Sequence, residues 1–331
     1  MISLQAYHTF GVNAGAEALI EIDTVDTLLE FIQTQPKRPF FILGGGSNVL
    51  FRQDLAATVL LNRIKGKQVI EADEDTVTIC VGGGENWHEL VLWTLENNWG
   101  GLENLSLIPG TVGAAPIQNI GAYGVELKDS FVGLEALELS SGEEQVFSAE
   151  DCAFGYRDSY FKREGKGKYF ITQVYFNLQK HPQVNTAYGA IQEVLQAAQI
   201  EHPTVKDVSD AVVKIRSSKL PDPAVLGNGG SFFKNPEIEP ALFAQLQGSH
   251  PQMPNYPGSA GKIKVPAGWL IEQCGWKGQR RGNAGCYEKQ ALVLVNLGGA
   301  TGAEIWSLAQ EIRASVQMKF GIDLEVEINV L

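Results

Sequence analysis

Apolar residues recur at helical spacing in five parts of the chain. One predicted helix is capped by Asp23 or Thr24 and ends near residue 35. The other predicted helices cover residues 86–98, 203–219, 266–273 and 304–320. Two of them, 203–219 and 304–320, begin with the spacing of a capping box, in which a threonine is followed three residues later by an acidic side chain.

Short apolar or alternating runs predict strands between these helices. The predicted strands lie at residues 39–43, 58–61, 76–81, 134–139, 169–178, 291–296 and 324–330. In the last run Leu324 and Ile328 face one way, whereas Glu327 faces the other and is expected to be an ordinary solvated side chain. Helices and strands are mixed along the whole chain, which predicts an α+β fold.

The chain of 331 residues is longer than a single hydrophobic core usually supports. We therefore divide it into three units, residues 1–65, 66–202 and 203–331. The first two units read as small α/β units. A boundary is placed near residue 203, where a new helix begins.

Composition excludes several classes of function. The net charge is −12 and no basic stripe stands out, so a nucleic-acid partner is not expected. No apolar run approaches the ~20 residues that span a bilayer, and the first residues lack the features of a signal peptide. The four cysteines and five histidines are scattered, which predicts reduced thiols in a cytoplasmic protein and no metal site.

Two glycine-rich loops are the strongest functional signals. Residues 108–124 contain four glycines, two prolines, three alanines and no charged side chain, and residues 43–51 carry three consecutive glycines after a strand. Glycine leaves backbone N–H groups free to approach an anion closely. Two such loops indicate a large phosphate-bearing ligand that is held at two places. The GxGxxG and GxxxxGK[ST] motifs are missing, so a dinucleotide would need a fold other than the Rossmann fold.

Ser231 and Arg157 lie in the other unusual segments. Glycines surround Ser231 within residues 227–236, and no histidine lies nearby in sequence to activate it, so its hydroxyl suits a proton donor better than a nucleophile. A buried turn with a capping serine is the alternative. Arg157 lies among aromatic residues in 154–159 and could hold a carboxylate with two parallel hydrogen bonds. A surface ion pair with Asp158 is the alternative there.

Taken together, these segments resemble the UDP-N-acetylenolpyruvoylglucosamine reductase family of flavoenzymes. The segments that carry the resemblance are 9–12, 43–51, 85–88, 101–105, 108–124, 154–159, 219–223, 227–236, 267–271 and 324–327. The resemblance implies a vanillyl-alcohol-oxidase (PCMH) type of FAD-binding fold. FAD would bind to two subdomains, 1–65 and 66–202, and a UDP-sugar would bind to the C-terminal domain 203–331.

The resemblance also implies site residues. Those expected to bind FAD are Gly44, Gly45, Gly46, Ser47, Asn48, Pro109, Gly110, Gly113, Ala114, Ile117, Gln118, Asn119, Gly121, Ala122 and Tyr123. Those expected to bind the substrate are Tyr188, Arg216, Lys219, Asn235, Tyr256 and Lys277. Ser231 would act as the general acid, Arg157 and Glu327 would stabilise negative charge, and Lys219 is a hypothetical helper of Ser231.

The implied reaction uses NADPH as co-substrate and FAD as bound cofactor. It reduces UDP-N-acetylglucosamine enolpyruvate to UDP-N-acetylmuramate, a precursor of peptidoglycan. No nucleic acid, membrane or obligate protein partner is expected.

Two alternatives stay open. One is an FAD oxidase with a covalently tethered flavin, although neither glycine loop offers a histidine or cysteine for the tether. The other is a catalytically silent UDP-sugar binding protein, which would explain the cations of the C-terminal third but not the glycine loops.

Overall fold

A computed structural model describes residues 1–34 and 39–331. Its α-helices are α1 Val25–Thr34, α2 Trp87–Glu96, α3 Gly189–Ala197, α4 Val205–Lys219, α5 Pro240–Ser249, α6 Ala267–Gln273 and α7 Gly302–Phe320. The five predicted helices are present, and both predicted capping boxes form, at Thr204 and Thr301. The expected end of α1 near residue 35 lies outside the described residues. Among the described helices, none combines the length and apolar composition that crossing a bilayer requires.

Helices α3 and α5 have no counterpart in the prediction. Helix α3 is short, and its apolar residues Ile191 and Leu195 pack on α4 in a small separate core. Helix α5 begins at Pro240, a residue that usually signals a break but is well suited to the first helical turn.

Six of the seven predicted strands are present, and the structure contains further strands that were not predicted. The strands of the structure are β1 Ile2–Ser3, β2 Gly15–Ile22, β3 Phe40–Leu43, β4 Val49–Leu50, β5 Leu55–Asn62, β6 Lys67–Ala72, β7 Thr76–Gly82, β8 Gly121–Ala122, β9 Val125–Glu126, β10 Phe131–Glu138, β11 Glu144–Ser148, β12 Tyr169–Gln179, β13 Gly227–Ser231, β14 Glu237–Ile238, β15 Tyr256–Pro257, β16 Ile263–Lys264, β17 Arg280–Arg281, β18 Ala284–Cys286, β19 Val293–Asn296 and β20 Asn329–Val330.

Two sheets lie between Ile2 and Gln179. The first has the order β1-β2-β5-β3, and β5 pairs in parallel with both β2 and β3. The second is antiparallel with the order β11-β10-β12-β7-β6. Leu60 and Phe31 of the first unit share a core with Leu137 and Phe170 of the second, so the two sheets are packed together.

The C-terminal third is built around the antiparallel sheet β13-β19-β18-β17, against which α7 packs. Its core continues into the N-terminal segment and the first glycine loop, because Phe10, Phe51 and Phe232 belong to one hydrophobic cluster. A Cβ at Gly302, the first residue of α7, would lie 1.8 Å from the carbonyl oxygen of Phe51. The absence of a side chain at Gly302 therefore lets α7 dock against the backbone beside the glycine loop.

The tail 324–330 was predicted as one alternating strand, and this is wrong. Val326 bridges Phe233, while only Asn329–Val330 forms a strand, which pairs in parallel with β4. The tail changes partner because it runs from the loop around Ser231 (residues 227–236, the serine loop) to residues 43–51, the first glycine loop; residues 108–124 form the second glycine loop. Leu324 and Ile328 are buried as expected. Glu327 is not a solvated side chain, since its side chain is only 13% exposed.

Candidate active site

A cavity of about 580 Å³ lies where these units meet. Its wall contains both glycine loops, the turn at Arg157, the serine loop and the C-terminal tail. Segments from the beginning, middle and end of the chain therefore face one space, which is large enough for part of an extended ligand.

The two glycine loops touch one another and form one wall of this cavity. Ser47 Oγ donates to the carbonyl oxygen of Pro109 at 2.9 Å, and Asn48 Nδ2 donates to Gln118 Oε1 at 2.7 Å. A Cβ at Gly45 would lie 2.7 Å from Gly110 Cα. The predicted need for bare backbone in both loops therefore has a direct steric cause.

A third glycine cluster, residues 82–84, supports the second loop from behind. The amide of Gly113 donates to the carbonyl oxygen of Gly83 at 2.8 Å, and the amide of Val112 donates to Glu85 at 2.9 Å. The loop then continues through two 3₁₀ turns, Val112–Ala114 and Pro116–Gln118. This anchoring holds an apolar, glycine-rich segment in a fixed shape without a helix or a long strand.

The cavity wall fits the FAD that the sequence resemblance implies. Within residues 1–34 and 39–331, the amides of Gly45, Gly46 and Ser47 donate to no protein acceptor. The buried Thr111 Oγ1 is also without a hydrogen-bond partner there. A Cβ at Gly44 would meet this oxygen at 2.5 Å. Free donors grouped on backbone that admits no side chain suit the phosphates of a dinucleotide.

Gly45→Ala is expected to lose most of the bound FAD, because the new Cβ would push the two loops apart. Binding should weaken at least about tenfold, or ~1.4 kcal/mol. The measurement is the ratio of flavin to protein absorbance after purification. Gly248→Ala in α5 is the control, since a Cβ there meets nothing within 4 Å. Full flavin content in Gly45→Ala would contradict this assignment of the loops.

Arg157 and Glu327 form an ion pair in the cavity wall although 170 residues separate them. Arg157 Nε donates to Glu327 Oε1 at 3.2 Å, and Nη2 donates to the carbonyl oxygen of Gly121. The two side chains are 19% and 13% exposed. The guanidinium also lies over the ring of Tyr156, 5.3 Å from its centroid. Contacts on several sides therefore hold Arg157 in place. The alternative, a surface ion pair of Arg157 with Asp158, does not form.

Asp158 instead pairs with Arg163. Burial raises the pKa of Glu327 above its ordinary value, while the nearby cations Arg157, Lys162 and Lys234 oppose the rise. The carboxyl group of Glu327 therefore takes up a proton more readily than an exposed glutamate does.

Ser231 lies at the end of β13 and faces the same cavity as Glu327. Gly230 before it has a φ of +72°, which a residue with a side chain rarely adopts. The amide of Glu327 donates to the carbonyl oxygen of Phe232 at 2.9 Å, so the serine loop and the tail are joined beside the site. In the described part of the chain the hydroxyl of Ser231 has no hydrogen-bond partner, which leaves its proton available.

Of the expected substrate residues, Arg216 is in the cavity wall. Its Nε is buried and has no partner among the described residues, as expected for a donor that awaits an anionic ligand. Lys219, one turn further along α4, is exposed and is not in the wall. The geometry thus favours Arg216 over Lys219 as the cation of α4 that acts in the cavity.

The remaining expected substrate residues lie outside the cavity wall. Tyr188 and Tyr256 are 44% and 56% exposed, and the ring of Tyr188 packs edge-on against Tyr123 at 5.1 Å. Asn235 Oδ1 accepts from the amide of Ala267, and Lys277 pairs with Glu272. Their roles stay predictions.

Three residues expected to bind FAD are also outside the wall, namely Asn119, Ala122 and Tyr123. Asn119 is fully buried and uses its side chain internally. Its Nδ2 donates to Glu126 Oε2 and to the carbonyl oxygen of Gly155, while its Oδ1 accepts from the amide of Lys128. Asn119 has a φ of +44° and holds the loop together, so any effect on the cofactor would pass through the backbone.

Sequence reasoning missed several residues of the wall, above all Thr111, Lys162 and Asn329. Thr111 lies inside the second glycine loop, where its hydroxyl could have been noticed as a donor. Asn329 donates through its amide and its side chain to the carbonyl oxygen of Asn48, at 3.0 and 3.1 Å. A local sequence pattern cannot predict this contact, because Asn329 and Asn48 are 281 residues apart.

Two family models match the chain. One, described as "UDP-N-acetylenolpyruvoylglucosamine reductase, C-terminal domain", matches residues 222–331. The other, described as "FAD binding domain", matches residues 16–148. The prediction of an α+β fold with an FAD-binding unit is confirmed.

Curated relatives match over nearly the whole chain. The UDP-N-acetylenolpyruvoylglucosamine reductase of Flavobacterium johnsoniae is 49% identical over 330 residues, which cover 99% of this chain and 98% of that protein. The protein of the same name from Burkholderia lata is 51% identical over 98% of this chain and 94% of its own length. A crystal structure of UDP-N-acetylenolpyruvylglucosamine reductase from Thermus caldophilus matches with a TM-score of 0.69 at 25% identity, covering 99% of this chain and 97% of that one.

Proposed function

Because this chain belongs to the UDP-N-acetylenolpyruvoylglucosamine reductase family, we propose that Ser231, Arg157 and Glu327 perform its chemistry in the cavity. The protein is an FAD-dependent oxidoreductase that uses NADPH to reduce UDP-N-acetylglucosamine enolpyruvate to UDP-N-acetylmuramate in peptidoglycan precursor synthesis. The observation that carries the assignment of roles is the convergence of these three side chains with both glycine loops on one space.

FAD, when bound, supplies the hydride chemistry, and the chain supplies position and charge. The free amides of Gly45, Gly46 and Ser47 and the hydroxyl of Thr111 would hold its phosphates. The uncharged second glycine loop would cover the flavin. Two observations support these assignments: the hydrogen-bond donors have no protein acceptor among the described residues, and a side chain at Gly44 or Gly45 would collide with the second glycine loop.

Arg157 and Glu327 are assigned to the carboxylate of the enolpyruvyl group. When hydride adds to the alkene, negative charge grows on that carboxylate. A guanidinium that is already fixed costs little reorganisation to stabilise the charge. Protonated Glu327 adds a hydrogen-bond donor on the same side, which is consistent with the upward shift of its pKa.

Ser231 is assigned the proton that completes the reduction. Its Oγ would give that proton to the carbon next to the carboxylate, while the hydride adds to the other carbon of the alkene. A serine hydroxyl is a weak acid, so it needs nearby positive charge. Arg216, whose buried Nε has no hydrogen-bond partner in the described chain, lies in the cavity wall and is better placed for this than Lys219.

The UDP-sugar is proposed to extend beyond the cavity wall. There it would contact the remaining expected substrate residues, Tyr188, Lys219, Asn235, Tyr256 and Lys277. The division into subdomains 1–65 and 66–202 and a substrate domain 203–331 is kept as a proposal. A cytoplasmic location is proposed as well, because all four cysteines are free thiols, as in a reducing compartment.

Glu327→Gln should change the pH dependence of flavin reoxidation by the substrate. In the wild type the protonated carboxyl is the competent form, so the rate constant falls as pH rises through the raised pKa of Glu327. Glutamine stays neutral, and this limb should disappear. Stopped-flow measurements across pH test it, with the exposed Glu239→Gln as control. An unchanged alkaline limb in Glu327→Gln would assign the titration to another group.

The function itself is tested by steady-state turnover. Purified protein, NADPH and UDP-N-acetylglucosamine enolpyruvate should consume one NADPH for each product molecule, and the product should carry two additional hydrogens by mass. A tethered-flavin oxidase would keep its colour after acid precipitation. A silent binding protein would bind the sugar nucleotide without consuming NADPH.

A further inference from the structure

Lys162 is a half-buried cation of the cavity wall that none of these roles uses. It ends the 3₁₀ turn Tyr160–Lys162, which Ser159 caps by accepting from the amide of Phe161 at 3.1 Å. Ser159 Oγ donates to the carbonyl oxygen of Ile117 at 2.7 Å. The turn that carries Lys162 is thus fastened to the second glycine loop.

The ammonium group of Lys162 holds the backbone of Arg157. Nζ donates to the carbonyl oxygen of Arg157 at 3.1 Å. Arg157 has a φ of +52°, in the left-handed region that is unfavourable for a residue with a Cβ. From this backbone the guanidinium reaches both Gly121 and Glu327. A bond to the carbonyl oxygen of Arg157 therefore restrains the backbone from which this side chain extends.

We propose that Lys162 is a positioning residue for the reduction, which fixes the left-handed peptide of Arg157 and so aims its guanidinium at the substrate carboxylate beside Glu327. The proposal rests on the proposed function, because it gives Arg157 and Glu327 their catalytic meaning. Lys162 acts through these two residues and not on the reacting atoms.

Charge adds a second, measurable effect. The charged groups around Lys162 are Lys234, Glu327, Glu325 and Asp158. Those around Glu327 are Arg157, Lys162 and Lys234, and Tyr156 lies close to it as well. Lys162 is one of the cations that hold the pKa of Glu327 down against burial. Removing its charge should raise that pKa further, so the alkaline limb of flavin reoxidation should move to higher pH.

Two substitutions separate positioning from charge. Lys162→Met keeps the length of the side chain but removes the donor and the charge, whereas Lys162→Arg keeps both. Lys168→Met is the control, because Lys168 is exposed in the same loop and is not in the cavity wall. Each protein is reduced anaerobically with NADPH and then mixed with UDP-N-acetylglucosamine enolpyruvate while the flavin absorbance is followed across pH. Flavin content and melting temperature are measured on the same samples.

In Lys162→Met we expect reoxidation to slow roughly 10–100-fold, as for a misaimed catalytic group, with unchanged flavin content and unchanged reduction by NADPH. Its alkaline limb should lie at higher pH, and Lys162→Arg should restore the wild-type limb. Wild-type rates in Lys162→Met, a slower rate without a pH shift, or loss of flavin would each overturn the proposal. Failure of this substrate to reoxidise even the wild-type flavin would instead overturn the proposed function, and the role of Lys162 with it.

Discussion

Ser231→Ala is expected to slow reoxidation of the reduced flavin by substrate roughly 10²–10⁴-fold, the usual contribution of a positioned general acid. Reduction of the flavin by NADPH should be unchanged, because that step needs no proton from Ser231. The expected result follows from a hydroxyl that faces the cavity and has no partner in the described part of the chain. Stopped-flow measurement of the two half-reactions separates them.

Two further variants sharpen this test. Ser231→Cys retains an acidic proton at the same place and should recover part of the lost rate. Ser249→Ala, which removes an exposed hydroxyl at the end of α5, should behave as the wild type. If Ser231→Ala keeps the full rate of reoxidation, the proton comes from water or from another residue, and the assignment of Ser231 is wrong.

Arg157→Ala is expected to cost ~3 kcal/mol of transition-state stabilisation, by analogy with the loss of a donor to a developing oxyanion. The loss should fall on kcat more than on KM, since the charge that Arg157 stabilises grows only as the reaction proceeds. Arg157→Lys should recover little, because an ammonium cannot reach Glu327 and Gly121 at once as the guanidinium does.

Steady-state kinetics with UDP-N-acetylglucosamine enolpyruvate measure this effect. Arg280→Ala, at an exposed position of β17, is the matched control for loss of a cation. A variant at Arg157 that shows only a higher KM would place this residue in substrate binding and not in charge stabilisation. Because Glu327 would lose its partner, the melting temperature should be recorded alongside.

The sequence predicted features that depend on neighbours along the chain. The capping boxes at Thr204 and Thr301 and the apolar faces of α4 and α7 are local patterns, and they form as expected. The glycine loops were also readable, because a need for bare backbone selects glycine at those positions. Helix α3 was missed although Ile191 and Leu195 lie four residues apart, on the face that packs on α4.

Contacts between distant segments could not be read in the same way. Glu327 looked like a solvated strand residue, and only the passage of the tail between the serine loop and the first glycine loop buries it. No sequence pattern indicated Lys162, because its proposed role depends on its contact with the left-handed backbone of Arg157. Family resemblance supplied a shared role for Arg157 and Glu327, but their contact across 170 residues was not predicted.

The most direct measurement is an anaerobic titration of the purified protein, followed by its visible spectrum. The protein should be yellow, NADPH should bleach the flavin band, and UDP-N-acetylglucosamine enolpyruvate should restore it in stoichiometric amount with formation of UDP-N-acetylmuramate. A colourless protein that takes up no FAD, or a bleached flavin that this substrate does not reoxidise, would contradict the account.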